Sequence, residues 1–146
     1  MQMKRRTFVT GSAATIAMAA TAPVLAQSGS IKVGLILPMT GPQQTTGVQI
    51  AAAVKLYMAQ RGETVAGKKI EVIVKDDGAV PDVAKRMAQE LIVNDKVAVV
   101  GSALTPSAMA VGPLSTQAKT ANVVMVSGTS AVINPNNPYM VRTSFT

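Results

Sequence analysis

From Ile31 onward the chain alternates between two hydrophobic rhythms. Three short aliphatic runs, IKVGLILP (Ile31–Pro38), KVAVVG (Lys96–Gly101) and NVVMVS (Asn122–Ser127), show little alternation, as strands covered on both faces do. KIEVIVKDD differs: Ile70, Val72 and Val74 fall on one side, and Glu71, Ile73 and Lys75 on the other. That predicts a strand with one partly exposed face. YMVRT (Tyr139–Thr143) reads as a fifth strand. Between the strands the period lengthens. Gly47–Gln60 predicts one helix, and Val83, Ala84, Met87, Ala88 and Leu91 form the apolar stripe of a second. Pro81 and Asp82 suit its first turn, where proline's missing N–H costs nothing and a carboxylate meets the helix dipole. Met87 lies on that stripe and reads as core, not as a metal or cofactor ligand. A third helix begins at Pro106 with Thr105 as its N-cap; Ala108, Val111, Leu114 and Ala118 follow at helical spacing.

The order β-α-β-α-β-α-β-loop-β predicts one α/β domain, a parallel Rossmann-like sheet wound right-handedly with helices on both faces. Ligands of such folds sit at the carboxyl ends of the strands. Upstream, residues 1–26 follow another logic. Lys4, Arg5 and Arg6 precede a mildly apolar Ala- and Thr-rich stretch that ends in APVLAQ, the layout of a secretory signal. Val24 and Ala26 occupy the small-residue positions, placing cleavage near Ala26-Gln27. Arg5-Arg6 followed by Thr7, Phe8 and Val9 resembles a twin-arginine signal.

Composition narrows the chemistry. Hydrophobic residues make up 48% of the 146, and charged residues only 14%, enough to fill a core. The formal charge is +7, but three of the 14 basic residues belong to the N-terminal segment. The rest are scattered, as on a solvated surface, and aromatic residues are too few to stack bases. Nucleic acid is not the partner. With no Cys and no His, thiolate chemistry, disulfides and histidine base catalysis are excluded within this chain.

Four loops leave the strand ends: MTGPQQTTG, DDGAVP, GSALTP and SGTSAVINP. Three are rich in Ser, Thr and Gly, residues that bind anions through hydroxyls and backbone amides. Thr46, Thr105 and Ser130 also suit a plain role as helix caps or turn closers. No Lys follows these glycines as a phosphate loop requires, and GPQQTTG is not a dinucleotide fingerprint. Asp76-Asp77 sits where a ribose-binding acid would, yet reads more simply as a turn that bonds its own following backbone. None of the three hydroxyl-rich loops holds a base for a nucleophilic Ser or Thr.

The stretch from Ile31 to Asp77, with its P-x-T-G-P loop and paired aspartates, resembles the opening of the leucine/isoleucine/valine-type periplasmic binding proteins. These are solute receptors of ABC importers for branched-chain amino acids and amides. VVGSALTPSAMAVGPLSTQAKTANVVMVSGTSAVI and YMVRTSFT continue the resemblance in the same order. It implies two α/β lobes closing on a ligand. Residues 27–146 are then an incomplete N-terminal lobe, with the second lobe absent. It implies Thr105 as a hydroxyl donor to the ligand's carboxylate, with Ser127, Thr129 and Ser130 contacting carboxylate or ammonium. Ser102 and Ala103 would line the floor; Gln44 and Thr45, within the Gln43–Thr46 loop, would form the rim. SGTSAVI lacks the proline common in that loop and is one residue shorter, so Thr129 and Ser130 share one assignment.

The implied protein is a periplasmic monomer without cofactor or metal. It is not an enzyme; it hands a small polar solute, a branched-chain amino acid, amide or similar carboxylate, to an ABC permease of the inner membrane. Two other functions also fit: the periplasmic sensing lobe of a receptor or regulator, and an exported enzyme with a Rossmann-like domain.

Overall fold

The computed structural model describes residues 29–144, so the expected export signal and its cleavage point lie outside the described residues. Its strands are β1 (Ile31–Leu37), β2 (Thr64–Val65), β3 (Lys68–Asp76), β4 (Val99–Leu104), β5 (Ala121–Val126) and β6 (Met140–Arg142). Three helices connect them: α1 (Gln44–Arg61), α2 (Pro81–Gln89) and α3 (Thr105–Ala118). The six strands form one sheet in the order β2-β3-β1-β4-β5-β6. All pairs are parallel except β2 with β3.

That edge hairpin was not foreseen. Ala66 and Gly67 both take positive φ, 50° and 76°, as a two-residue turn with right-handed strand twist requires. The run KVAVVG (Lys96–Gly101) pairs later than its pattern suggests. Lys96 is left-handed at φ 55°, and Val97 N–H is drawn back to the Leu91 carbonyl. The strand therefore begins at Val99 and runs through Ser102 and Ala103 to Leu104. Chain geometry after α2 overrides the aliphatic pattern here.

The helices divide unequally between the faces. Ile50, Ala51 and Val54 of α1 pack over Leu35, Leu37 and Ala103 on one face. On the other, Ala84 and Ala88 of α2 and Val111 of α3 enclose Ile36 and Val100. The stripe predicted for α2 is the buried one, and it continues through Leu91 in a single π-helical turn, Glu90–Asn94. Leu91 lies so close over β1 that a Cβ on Gly34 would come within 2.8 Å of it. A smaller cluster, Ala108, Val124, Val132 and Met140, joins α3 to the β5–β6 edge.

Candidate functional site

Strand order reverses between β1 and β4: the chain winds from β1 toward β3 on one side, then from β4 toward β6 on the other. The chain therefore leaves these two strands in opposite directions at their carboxyl ends, the place where α/β sheets bind ligands. Seven hydroxyl or carboxylate residues hold this edge together.

On the β1–β3 side the tie is Asp76. Its Oδ1 accepts from the backbone N–H of Met39 at 2.8 Å and of Gly78 at 2.9 Å, and its Oδ2 accepts from Thr40 Oγ1 at 2.8 Å. Desolvation works against ionisation here, but the bonds from the Thr40 hydroxyl and from the backbone of Gly78, Met39 and Thr40 outweigh it. The carboxyl is held below its ordinary 3.8. Asp77 turns the other way and is only 1% exposed. Its Oδ1 accepts from Ala79 N–H and its Oδ2 from the buried Ser107 hydroxyl in the first turn of α3. Both aspartates bond following backbone, as a turn pair should, and each also fastens a second element.

On the β4–β6 side, Thr105 Oγ1 and Ser127 Oγ share a hydrogen bond of 2.8 Å. Ser144, just past β6, clasps Ser127 twice: its Oγ accepts from Ser127 N–H at 3.0 Å and donates to the Ser127 carbonyl at 2.6 Å. Ser144 was missed by sequence reasoning, its only signal being a hydroxyl residue directly after an edge strand.

The structure places the expected ligand residues unevenly. Thr105 and Ser127 are brought together, with Ser127 2% exposed. Thr105 starts α3 without a capping bond of its side chain; Leu104 takes the cap position, so its expected capping role is corrected to a bond across to β5. Thr129 accepts from Ala131 N–H and so caps the short 3-10 turn Ser130–Val132, while Ser130 within that turn is exposed. Capping at this loop thus falls to Thr129. Gln44 and Thr45 lie exposed in the first turn of α1, which begins three residues earlier than its periodicity suggests. Ser102 and Ala103 are wholly buried within β4, and the Ser102 hydroxyl is donated to Asn122 Oδ1 at 2.8 Å.

Electrostatically the edge is one-sided. All seven acidic residues fall between Glu63 and Asp95, so the β4, β5 and β6 loops supply none; the carboxylate that reaches the start of α3, Asp77, is bonded to Ser107 and Ala79. With the N–H groups at the start of α3, that side presents donors and partial positive charge, a surface for anions.

A model of the periplasmic binding protein family matches residues 30–146. The chain is 61% identical to an ABC-transporter solute-binding protein from Rhodopseudomonas palustris BisB5, solved in complex with 3,4-dihydroxybenzoic acid. The TM-score is 0.77 over 80% of this chain and 32% of that one. A similar protein from Rhodopseudomonas palustris HaA2, in complex with p-hydroxybenzoic acid, is 42% identical, with TM-score 0.75 over the same shares. Leu/Ile/Val-binding protein homolog 6 of Brucella abortus (strain 2308) is 39% identical over 135 residues, 91% of this chain and 34% of that protein. The chain spans about a third of the length of these relatives. On this match, and with an α/β sheet whose polar edge lies where ligands bind, the chain belongs to the periplasmic binding protein family.

Proposed function

We propose that this chain forms the N-terminal lobe of an exported solute-binding protein, which captures a small aromatic carboxylate in the periplasm and delivers it to an ABC importer. The observation that carries this reading is the acid-free, hydroxyl-lined edge of β4, β5 and β6. An ammonium group finds no acidic residue on those loops, the buried Asp77 being bonded to Ser107 and Ala79, whereas a carboxylate finds donors. The dihydroxybenzoate and hydroxybenzoate bound to the similar proteins support the aromatic acid over a branched-chain amino acid.

The chemistry follows from proton placement. Ser127 is buried, so its hydroxyl proton is best used on Thr105 Oγ1. That frees the Thr105 proton to point outward to a carboxylate oxygen. Ser130 and the Thr129 backbone add donors from the neighbouring loop, Gln44 and Thr45 form the rim, and Ser102 and Ala103 support the floor from beneath. Closure by a second lobe would exclude water, and each hydrogen bond would strengthen accordingly. No reaction is catalysed on this reading.

Isothermal calorimetry with 3,4-dihydroxybenzoate, 4-hydroxybenzoate and leucine tests it on the product of the complete gene. The hydroxybenzoates should bind, leucine at least about tenfold more weakly, and Thr105→Val should cost about 10- to 100-fold for one lost bond to a charged group. Tight leucine binding with no heat from either hydroxybenzoate would overturn the ligand class. Residues 27–146 alone should give little or no heat, because half the cleft is missing.

A further inference from the structure

Arg142, the last residue of β6, has no role in the site as built so far. Register sets it beside Val124, and strand alternation puts it on the face of Met140, under α3. A Cβ on Gly112 would lie 2.5 Å from Met140 Sδ, which shows where α3 crosses β6. Two residues further along β6 is about 7 Å, equal to about five residues back along α3. Val124, the register partner of Arg142, packs with Ala108, so Arg142 lies toward the first turn of α3, the turn that begins with Thr105. The residues after it are pinned to the same edge: Thr143 N–H and hydroxyl both donate to the Val124 carbonyl, and Ser144 clasps Ser127.

Among the described residues the guanidinium has no ion-pair partner, and its Nη1 is buried with no acceptor in reach. The described residues offer it no spare side-chain carboxylate. No acidic residue follows Asp95, and the two aspartates at the strand ends are bonded to Met39, Thr40, Gly78, Ala79 and Ser107. A guanidinium cannot shed its proton at neutral pH, and Arg142 is half-buried, so its desolvated Nη1 loses hydration that no acceptor replaces. We infer that Arg142 is a carboxylate-binding residue whose anion comes from outside the described residues. The planar fork matches a carboxylate's two oxygens. The source is either the solute's own carboxylate, which rests on the function proposed above, or a Glu or Asp of a longer polypeptide, which does not.

The first test needs no variant. Thermal unfolding of the 146-residue chain is followed in sodium formate and sodium benzoate against sodium chloride at equal ionic strength. The carboxylates should raise the midpoint by about 3 °C over chloride, by mass action on the folded state. The increment should vanish in Arg142→Gln and partly survive in Arg142→Lys. Equal midpoints in all three salts would overturn the inference. On the longer protein, 4-hydroxybenzoate is compared with neutral 4-hydroxybenzamide. Arg142→Gln weakening the acid at least tenfold and sparing the amide assigns the anion to the solute. Unchanged affinities with a lowered midpoint of the ligand-free protein assign it to a protein carboxylate. No change in either would again overturn the inference. Absent hydroxybenzoate binding with the formate effect intact would sink the proposed ligand class and leave the Arg142 site standing.

Discussion

Asp76 shows how much one side chain does at this edge. A carboxylate that sequence reading takes for a turn former also ties the loop after β1 to the loop after β3, through Met39, Thr40 and Gly78. Its folded pKa lies below the unfolded value, so its contribution is present in full above about pH 4 and is lost as pH falls through the lowered folded value. The group is exposed and screened by water, so the effect is local. In a proton-detected NMR titration, the Met39 and Gly78 amide shifts should move with a common midpoint below 3.8. Asp76→Asn should remove that titration and speed hydrogen exchange at both amides. A midpoint above 3.8 would contradict the assignment.

At the level of elements, the start of α1 is set by a contact, not by a cap. No side chain caps the helix, yet it begins at Gln44, and its fourth residue, Gly47, is pressed against β1's exit. A Cβ there would lie 2.2 Å from the Pro38 carbonyl oxygen and 2.7 Å from its carbon. Backbone cannot yield as a side-chain tip can. Gly47→Ala should therefore destabilise the chain by about 2–3 kcal/mol in urea unfolding, while Gly29→Ala, with open space around it, should change little. The helix itself was legible over Gly47–Gln60 because its periodicity lies in the side chains. Its first turn was not, because QQTT carries no apolar signal and its helicity depends on packing over Pro38. The same holds for β4: the aliphatic run was legible, but where it entered the sheet depended on the left-handed Lys96.

Across the whole molecule the two faces of the sheet are finished differently. α2 and α3 bury a continuous core with β1 and β4. α1 stands alone on the opposite face with only Gly47 fully buried, and Leu56 and Tyr57 are 58% and 63% exposed. Between α1 and β3 runs a groove of about 480 Å³, its apolar floor made by Val54, Met58, Ile70, Val72 and Val74 and its rim including Lys55, Glu63, Lys69 and Glu71. Its mainly apolar lining is unlike the hydroxyl-lined edge that suits a carboxylate. Local stability follows buried contact. Amides in the second half of α1 should exchange at least about tenfold faster than those in the middle of α3; equal protection would mean that the groove closes in solution.

Sequence alone determined the class of the fold, the three principal βα units and the apolar stripe of α2, and it pointed to the strand-end loops as the expected place for a ligand. These are local: each rests on spacing that a strand or helix expresses wherever it packs. It also carried the family resemblance, since the loop motifs are contiguous. Only the tertiary structure decided which hydroxyls meet. Thr105, Ser127 and Ser144 are distant in the chain, and parallel register brings them together. Ser102 and Ala103 were moved from loop to buried strand by the same register. Arg142 acquired meaning only once its Nη1 was seen to be buried with no partner among the described residues, because burial and partnership are properties of neighbours in space and not of neighbours in sequence.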